Sequence, residues 1–182
     1  ETGSNTINIY YVKRNDLSYK VNYLEKGTGK VLHEVKVQSG MTFKEIVASI
    51  TEKIEINGYN FDSFEKTNIS ITTENNEINI YYTKRTDLTY KVRYLDKETN
   101  QSIHEEKVQT GMSFETTVYA SNEKLTIDGY NYDSADKDSL IIGTNENVIT
   151  LYYVKRTDLT YTVNYLEKNT NLVIGETKVV GG

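Results

Sequence analysis

Two histidines, His33 and His104, sit in matching sequence contexts, and each is followed by a glutamate, Glu34 or Glu105. An imidazole beside a carboxylate is raw material for base catalysis or metal binding. On a strand, however, neighbouring side chains point to opposite faces, so the two would not meet. The third equivalent position is Gly175, and a packing or surface role is the simpler reading. Asp133, Asp136 and Asp138 gather oxygens that a calcium loop could use. The full EF-hand pattern is missing, and Asp62, Glu65 and Thr67 stand at the matching positions upstream. A solvated loop fits better. No Gly-x-Ser-x-Gly elbow, phosphate loop or dinucleotide fingerprint occurs. The expectation is a chain that is not an enzyme, with no catalytic residues, no metal and no cofactor.

Binding chemistry has better candidates. Gly58-Tyr59-Asn60 and Gly129-Tyr130-Asn131 each place an aromatic and an amide after a turn glycine. A tyrosine ring can stack on a pyranose while an asparagine fixes its hydroxyls. Tyr59, Asn60, Tyr130 and Asn131 are therefore candidate glycan-binding residues. An aromatic plugging the end of a core explains the same residues. The basic pairs Lys13-Arg14, Lys84-Arg85 and Lys155-Arg156 could hold sulfate or sialate, or pair with Asp16, Asp87 and Asp158.

What positions these residues is a repeat. Tyr10-Tyr11-Val12-Lys13-Arg14 returns as Tyr81-Tyr82-Thr83-Lys84-Arg85 and as Tyr152-Tyr153-Val154-Lys155-Arg156, in two steps of identical length with no insertion. From Tyr10 to Ile80 about half the positions equal the residue one repeat later. Residues 5–14 read as the closing strand of a preceding repeat, 15–85 as a first module and 86–156 as a second. Residues 157–182 read as the opening hairpin of a third, and residues 1–4 as a tag remnant.

Within a module, Tyr19, Val21 and Tyr23 alternate along a half-buried strand, as do Tyr90, Val92, Tyr94 and Tyr161, Val163, Tyr165. Lys26-Gly27-Thr28-Gly29 reads as a turn, and a second strand through Val35 and Val37 completes a hairpin. Thr42 and Glu45 have capping-box spacing, and Phe43, Ile46 and Val47 fall on one helical face, which predicts a short helix. Gly58-Tyr59 turns into a short strand. Ile78, Ile80 and Tyr82 form a closing strand, whose face reappears near the start as Ile7, Ile9 and Tyr11. This order predicts an α+β fold of tandem β-grasp-like (ubiquitin-like) modules. Each would be mostly strand with one short helix, and the last strand would lie parallel to the first. Lys84-Arg85-Thr86-Asp87 joins the modules without a Pro/Gly/Ser linker, which favours an elongated rod.

Composition agrees with thin modular cores. The chain has 182 residues with no Cys, Trp or Pro, 37 % hydrophobic residues, and 16 Tyr against 4 Phe. Without Cys there is no disulfide or thiolate metal site. A net charge of −5 argues against nucleic-acid binding, and no apolar run is long enough for membrane insertion.

The stretch Tyr152 to Lys168 resembles the MucBP (mucin-binding protein) repeat of Gram-positive surface proteins, as do Gly129-Tyr130 and the closing Tyr-Tyr strand. The resemblance implies β-grasp-like modules on the bacterial cell surface, in a parent anchored to the cell wall. It implies an adhesin or its stalk, presenting a binding region and touching mucin or host glycans. A dedicated mucin lectin module and the non-catalytic stalk of a wall-anchored enzyme are the alternatives. Residues 5–14 and 157–182 complement each other, so the expectation is either that each stays frayed or that the two pair head-to-tail between molecules in self-association.

Overall fold

The computed structural model describes residue 3 and residues 5–181. The tag-remnant reading of 1–4 therefore lies, apart from Gly3, outside the described residues. The chain divides into two compact units, Glu1–Thr86 and Asp87–Gly182.

In the first unit the strands are β1 (Leu17–Glu25), β2 (Lys36–Met41), β3 (Ile46–Ala48), β4 (Tyr59–Phe64), β5 (Asn68–Ser70) and β6 (Glu77–Lys84). One 3-10 turn, Ser49–Glu52, interrupts them. Four strands form an open sheet in the order β2-β1-β6-β4. β1 is antiparallel to β2 and parallel to β6, and β4 is antiparallel to β6. The period-two pattern sets which face is buried. Leu17, Tyr19, Val21 and Tyr23 from β1 meet Ile78, Ile80 and Tyr82 from β6 in the core. The opposite face is polar, with Asn22 Nδ2 donating to Asn79 Oδ1 at 2.7 Å and Asn79 Nδ2 to Glu65 at 2.6 Å.

The second unit repeats this arrangement. Its strands are β7 (Leu88–Asp96), β8 (Lys107–Met112), β9 (Thr117–Tyr119), β10 (Tyr130–Ala135), β11 (Ser139–Ile141) and β12 (Val148–Lys155), with a 3-10 turn at Ala120–Glu123. The sheet order is β10-β12-β7-β8, with β12 parallel to β7. Its core gathers Leu88, Tyr90, Val92, Tyr94, Ile149, Leu151 and Tyr153 from the sheet with Val118, Ala120 and Ile142 from the covering layer. A last antiparallel hairpin follows, β13 (Thr160–Val163) and β14 (Lys178–Gly181).

The expected helix is not formed. Thr42 N–H does donate to Glu45 Oε2 at 2.8 Å, half of a capping box. Lys44 then takes φ 65 and the chain leaves the turn as β3, paired with β5. The second copy does the same at Glu115, φ 63, followed by β9 paired with β11. The run Thr116-Thr117-Val118-Tyr119 is β-branched and aromatic, which favours strand over helix. A two-stranded ribbon and a 3-10 turn thus stand where a helix was expected, and the fold is mostly strand with almost no helix. The expected second strand is corrected at its start: β2 begins at Lys36, so it takes in Val37 and leaves Val35 out. Ile7, Ile9 and Tyr11 are exposed in a segment that carries no strand.

Turn chemistry explains the hairpins. Gly29, Asn100 and Asn171 occupy one repeat position with φ 70, 56 and 55. Glycine and asparagine are the residues that tolerate this left-handed conformation at least cost.

Candidate functional site

A covering layer without a helix leaves backbone groups that no ladder satisfies. In this chain tyrosine hydroxyls satisfy them. Tyr82 Oη donates to the Ile54 carbonyl at 2.8 Å and accepts from the Ile54 N–H at 3.3 Å. Tyr153 Oη does the same with Leu125, at 3.0 Å in both directions. Tyr23 and Tyr94 donate to the carbonyls of Glu52 and Glu123, at 3.2 and 3.3 Å. Phenylalanine could fill the same space but could not make these bonds. That is a physical reason for an aromatic set dominated by tyrosine.

At the centre of each set is a buried carboxylate that sequence reasoning missed. Glu52 ends the 3-10 turn, and its Oε1 accepts from Tyr19 Oη at 2.8 Å while its Oε2 accepts from Lys36 Nζ at 2.6 Å. Glu123 accepts from Tyr90 at 2.9 Å and from Lys107 at 2.6 Å in the same way. Burial first, and then the hydrogen bond to the carboxylate, pushes the Tyr19 and Tyr90 phenols above their ordinary range. The hydrogen bond to Glu123 pushes the Lys107 ammonium up. Both oxygens of each carboxylate are already engaged, so the group fastens β1, β2 and the turn together rather than facing a substrate. The signal was available: Tyr, Lys and Glu recur together one repeat on, and a glutamate kept beside apolar positions needs a partner.

The predicted glycan residues fall as follows. Tyr59 is 7 % exposed and sits at the start of β4, opposite Lys84, while Asn60 is exposed. Tyr130 is half-buried against the core of the second unit, and Asn131 is exposed. Consecutive strand residues face opposite sides, so neither tyrosine is brought to the same face as its asparagine. Gly58 and Gly129 have φ 81 and 76, the turn glycines the motif required.

The other chemistry-bearing residues have structural partners. His33 and His104 stand edge-on to Tyr23 and Tyr94, with centroids 5.3 and 5.2 Å apart, and each Nδ1 donates to the carbonyl of the next residue. Asp133 sits where a register shift at β10 makes a bulge, and there it pairs with Lys97 at 2.5 Å. Asp62 pairs likewise with Lys26 at 2.6 Å. The lysine hydrogen bond, helped by the neighbouring serine hydroxyl, holds both carboxyls below the usual carboxylate range. Asp136 caps the Thr150 N–H at 2.8 Å. Among the described residues no cluster of three or more His, Cys, Asp or Glu could hold a metal ion. Arg14 pairs with Asp16 at 2.8 Å and Arg156 with Asp158 at 2.9 Å, the junction pairs expected from spacing.

One surface feature does recur. A cleft of about 320 Å³ lies beside the start of β1, lined by Asp16, Ser18, Lys20, Glu74 and Asn76 among others. A cleft of about 260 Å³ lies beside the start of β7, lined by Asp87, Thr89, Lys91, Asn145 and Asn147. Asn76 and Asn147 brace both, donating to the Ser18 and Thr89 carbonyls at 3.0 Å. Both clefts carry carboxylate, amide, hydroxyl and ammonium groups, and the first is mainly polar whereas the second is more apolar than polar.

No family model matches the chain, and no curated protein matches it. Solved structures that are similar include Mub-RV, at 14 % identity and TM-score 0.30, covering 77 % of this chain and 99 % of that one. Domains 3-4 of the Streptococcal High Identity Repeats in Tandem of a cell surface protein match at 11 % and 0.32, covering 77 % and 98 %. A type 2 repeat of the mucus binding protein MUB from Lactobacillus reuteri matches at 15 % and 0.30, covering 77 % and 100 %.

Proposed function

We propose that this chain is a repeat segment of a bacterial cell-surface adhesin, a stalk of tandem β-grasp-like modules that presents a binding region away from the cell wall. One observation carries the reading. The polar residues kept between the two units around each buried carboxylate, namely Tyr19, Lys36 and Glu52 with Tyr90, Lys107 and Glu123, are consumed in holding each module together. A repeat whose kept polar groups are spent internally is built for stacking rather than turnover. The connection between β6 and β7 is only Arg85, Thr86 and Asp87, which leaves little chain in which to bend. The module is read as β-grasp-like because the first and last long strands pair in parallel at the centre of an open sheet. The parent protein is read as extracellular and wall-anchored, and the chain as non-catalytic. Length in solution against number of repeats tests the stalk.

A second reading, contact with mucin or other host glycans, is favoured by the recurrent clefts beside β1 and β7. Their carboxylate, amide, hydroxyl and ammonium groups suit a hydroxyl-rich ligand. An array of mucin glycans probed with this chain tests it. Selective binding that is lost in Lys20→Ala with Lys91→Ala supports glycan contact, and an empty array leaves the stalk.

A further inference from the structure

We propose that Asn57 is a site of spontaneous covalent modification, its side-chain amide converting to a carboxylate by ring closure onto the backbone nitrogen of Gly58. The two units share the turn in which this pair sits. Tyr59 N–H donates to the Ile56 carbonyl at 3.0 Å, and Tyr130 N–H to the Ile127 carbonyl at 3.1 Å. Gly58 and Gly129 hold φ 81 and 76 at the third position of these turns, as a type II turn requires. The second position is Asn57 in one turn and Asp128 in the other, and both side chains are exposed. No other Asn-Gly pair occurs in the sequence.

Glycine has no Cβ to crowd the approach of its nitrogen to the preceding side chain. Gly58 N gives up its proton and attacks Asn57 Cγ. The bond from Cγ to the side-chain nitrogen breaks, and ammonia leaves with that proton. Water then opens the resulting succinimide. Breaking the new bond from Gly58 N to Cγ leaves aspartate. Breaking the original peptide bond to Gly58 N leaves isoaspartate, with the chain routed through Cγ. In sum, an amide and a water become a carboxylate and an ammonium ion.

The aspartate product has a precedent in the second unit. Asp128 already sits in the matching turn, and Arg156 N–H donates to the Gly129 carbonyl at 2.9 Å just as Arg85 N–H does to the Gly58 carbonyl. The hydrogen bond and charge of Asp158 push the Arg156 guanidinium up, and the charge of Asp128 adds to this. Conversion of Asn57 therefore brings the first turn to the charge of the second. Isoaspartate instead adds a backbone carbon inside the turn, which works against the Tyr59–Ile56 bond. This inference does not depend on the surface-protein reading.

Peptide mapping by mass spectrometry tests it, on the folded chain held in water enriched in heavy oxygen at neutral and at mildly alkaline pH. Asn57 is expected to convert more than an order of magnitude faster than Asn22 or Asn131 and to take up heavy oxygen. The rate should rise with pH, because Gly58 N must lose a proton. Aspartate and isoaspartate should both form, since the ring opens on either side. Asn57→Asp is expected to keep the circular dichroism spectrum of the starting chain, and loss of that spectrum would contradict the fit of the product. Conversion of Asn57 no faster than that of Asn131 overturns the proposal. So does aspartate without isoaspartate, which is direct hydrolysis of the amide.

Discussion

The Tyr19 hydroxyl donates to Glu52 Oε1 at 2.8 Å, and one repeat later Tyr90 makes the same bond to Glu123 at 2.9 Å. The carboxylates are buried while their lysine partners reach solvent. Removing either partner strands a polar group in the core. Tyr19→Phe is expected to destabilise the first module by about 1–2 kcal/mol, and Glu52→Ala by roughly 1–3 kcal/mol, because Lys36 is partly solvated and can find water. Urea unfolding measures this. A loss below about 0.5 kcal/mol in Glu52→Ala, the range of ordinary surface changes, would mean the pair fastens nothing.

Tyr82 and Tyr81 give an internal comparison on one strand. Tyr82 is buried and satisfies both backbone groups of Ile54, whereas Tyr81 lies half-buried on the opposite face. Tyr82→Phe is expected to cost about 1–3 kcal/mol through two lost partners, and Tyr81→Phe to stay within about 0.5 kcal/mol. Amide hydrogen exchange offers a second readout, since the Ile54 amide should lose protection only in Tyr82→Phe.

Much of this was legible in sequence because strands write their buried face at period two. Tyr19, Val21 and Tyr23, and Ile78, Ile80 and Tyr82, are buried as the alternation requires. The parallel pairing of first and last strands followed from a long crossover between them. The region after Gly40 was misread because a single turn can carry helical spacing. Phe43, Ile46 and Val47 satisfy a helical face by chance, and the Thr42–Glu45 bond is local enough to form in a turn. The second copy held the correction, since Thr116-Thr117-Val118-Tyr119 is poor helix sequence. The Glu52 staple escaped notice because its partners are 33 and 16 residues away, a pairing that only the fold creates. At Tyr59, a turn glycine followed by an aromatic could equally have placed the ring outside, and only packing decides that.

Lys44 and Glu115 hold left-handed backbone at the point where the helix was expected, with φ 65 and 63. For a residue bearing Cβ this costs roughly 1–2 kcal/mol. Lys44→Gly and Glu115→Gly should each therefore raise stability, by about 1 kcal/mol after the entropy lost from a more flexible unfolded chain. Unchanged or lower thermal stability in both would contradict the assigned turn.

Stability should fall on the alkaline side. Burial raises the phenols of Tyr19, Tyr23, Tyr82, Tyr90 and Tyr94 above their ordinary range. A group with a raised folded-state pKa contributes fully below its unfolded value, about 10 for tyrosine, and loses that contribution as pH rises through the folded value. Tyrosinate absorbance from these five side chains should therefore develop only as circular dichroism reports unfolding. The carboxyls of Asp62 and Asp133 act at the other end. Their lowered values favour the fold above the unfolded value near 4, and that contribution fades as pH drops through the folded values. Titration of these five near their ordinary value, with the fold intact, would contradict the hydroxyl burial described above.

The proposal that the repeat serves as a stiff spacer is tested most directly by length against copy number. Small-angle X-ray scattering on arrays with increasing numbers of the module gives the maximum dimension of each. For a stiff spacer, growth in proportion to the number of modules is expected. Growth closer to the square root of that number, as for flexibly jointed beads, would contradict it.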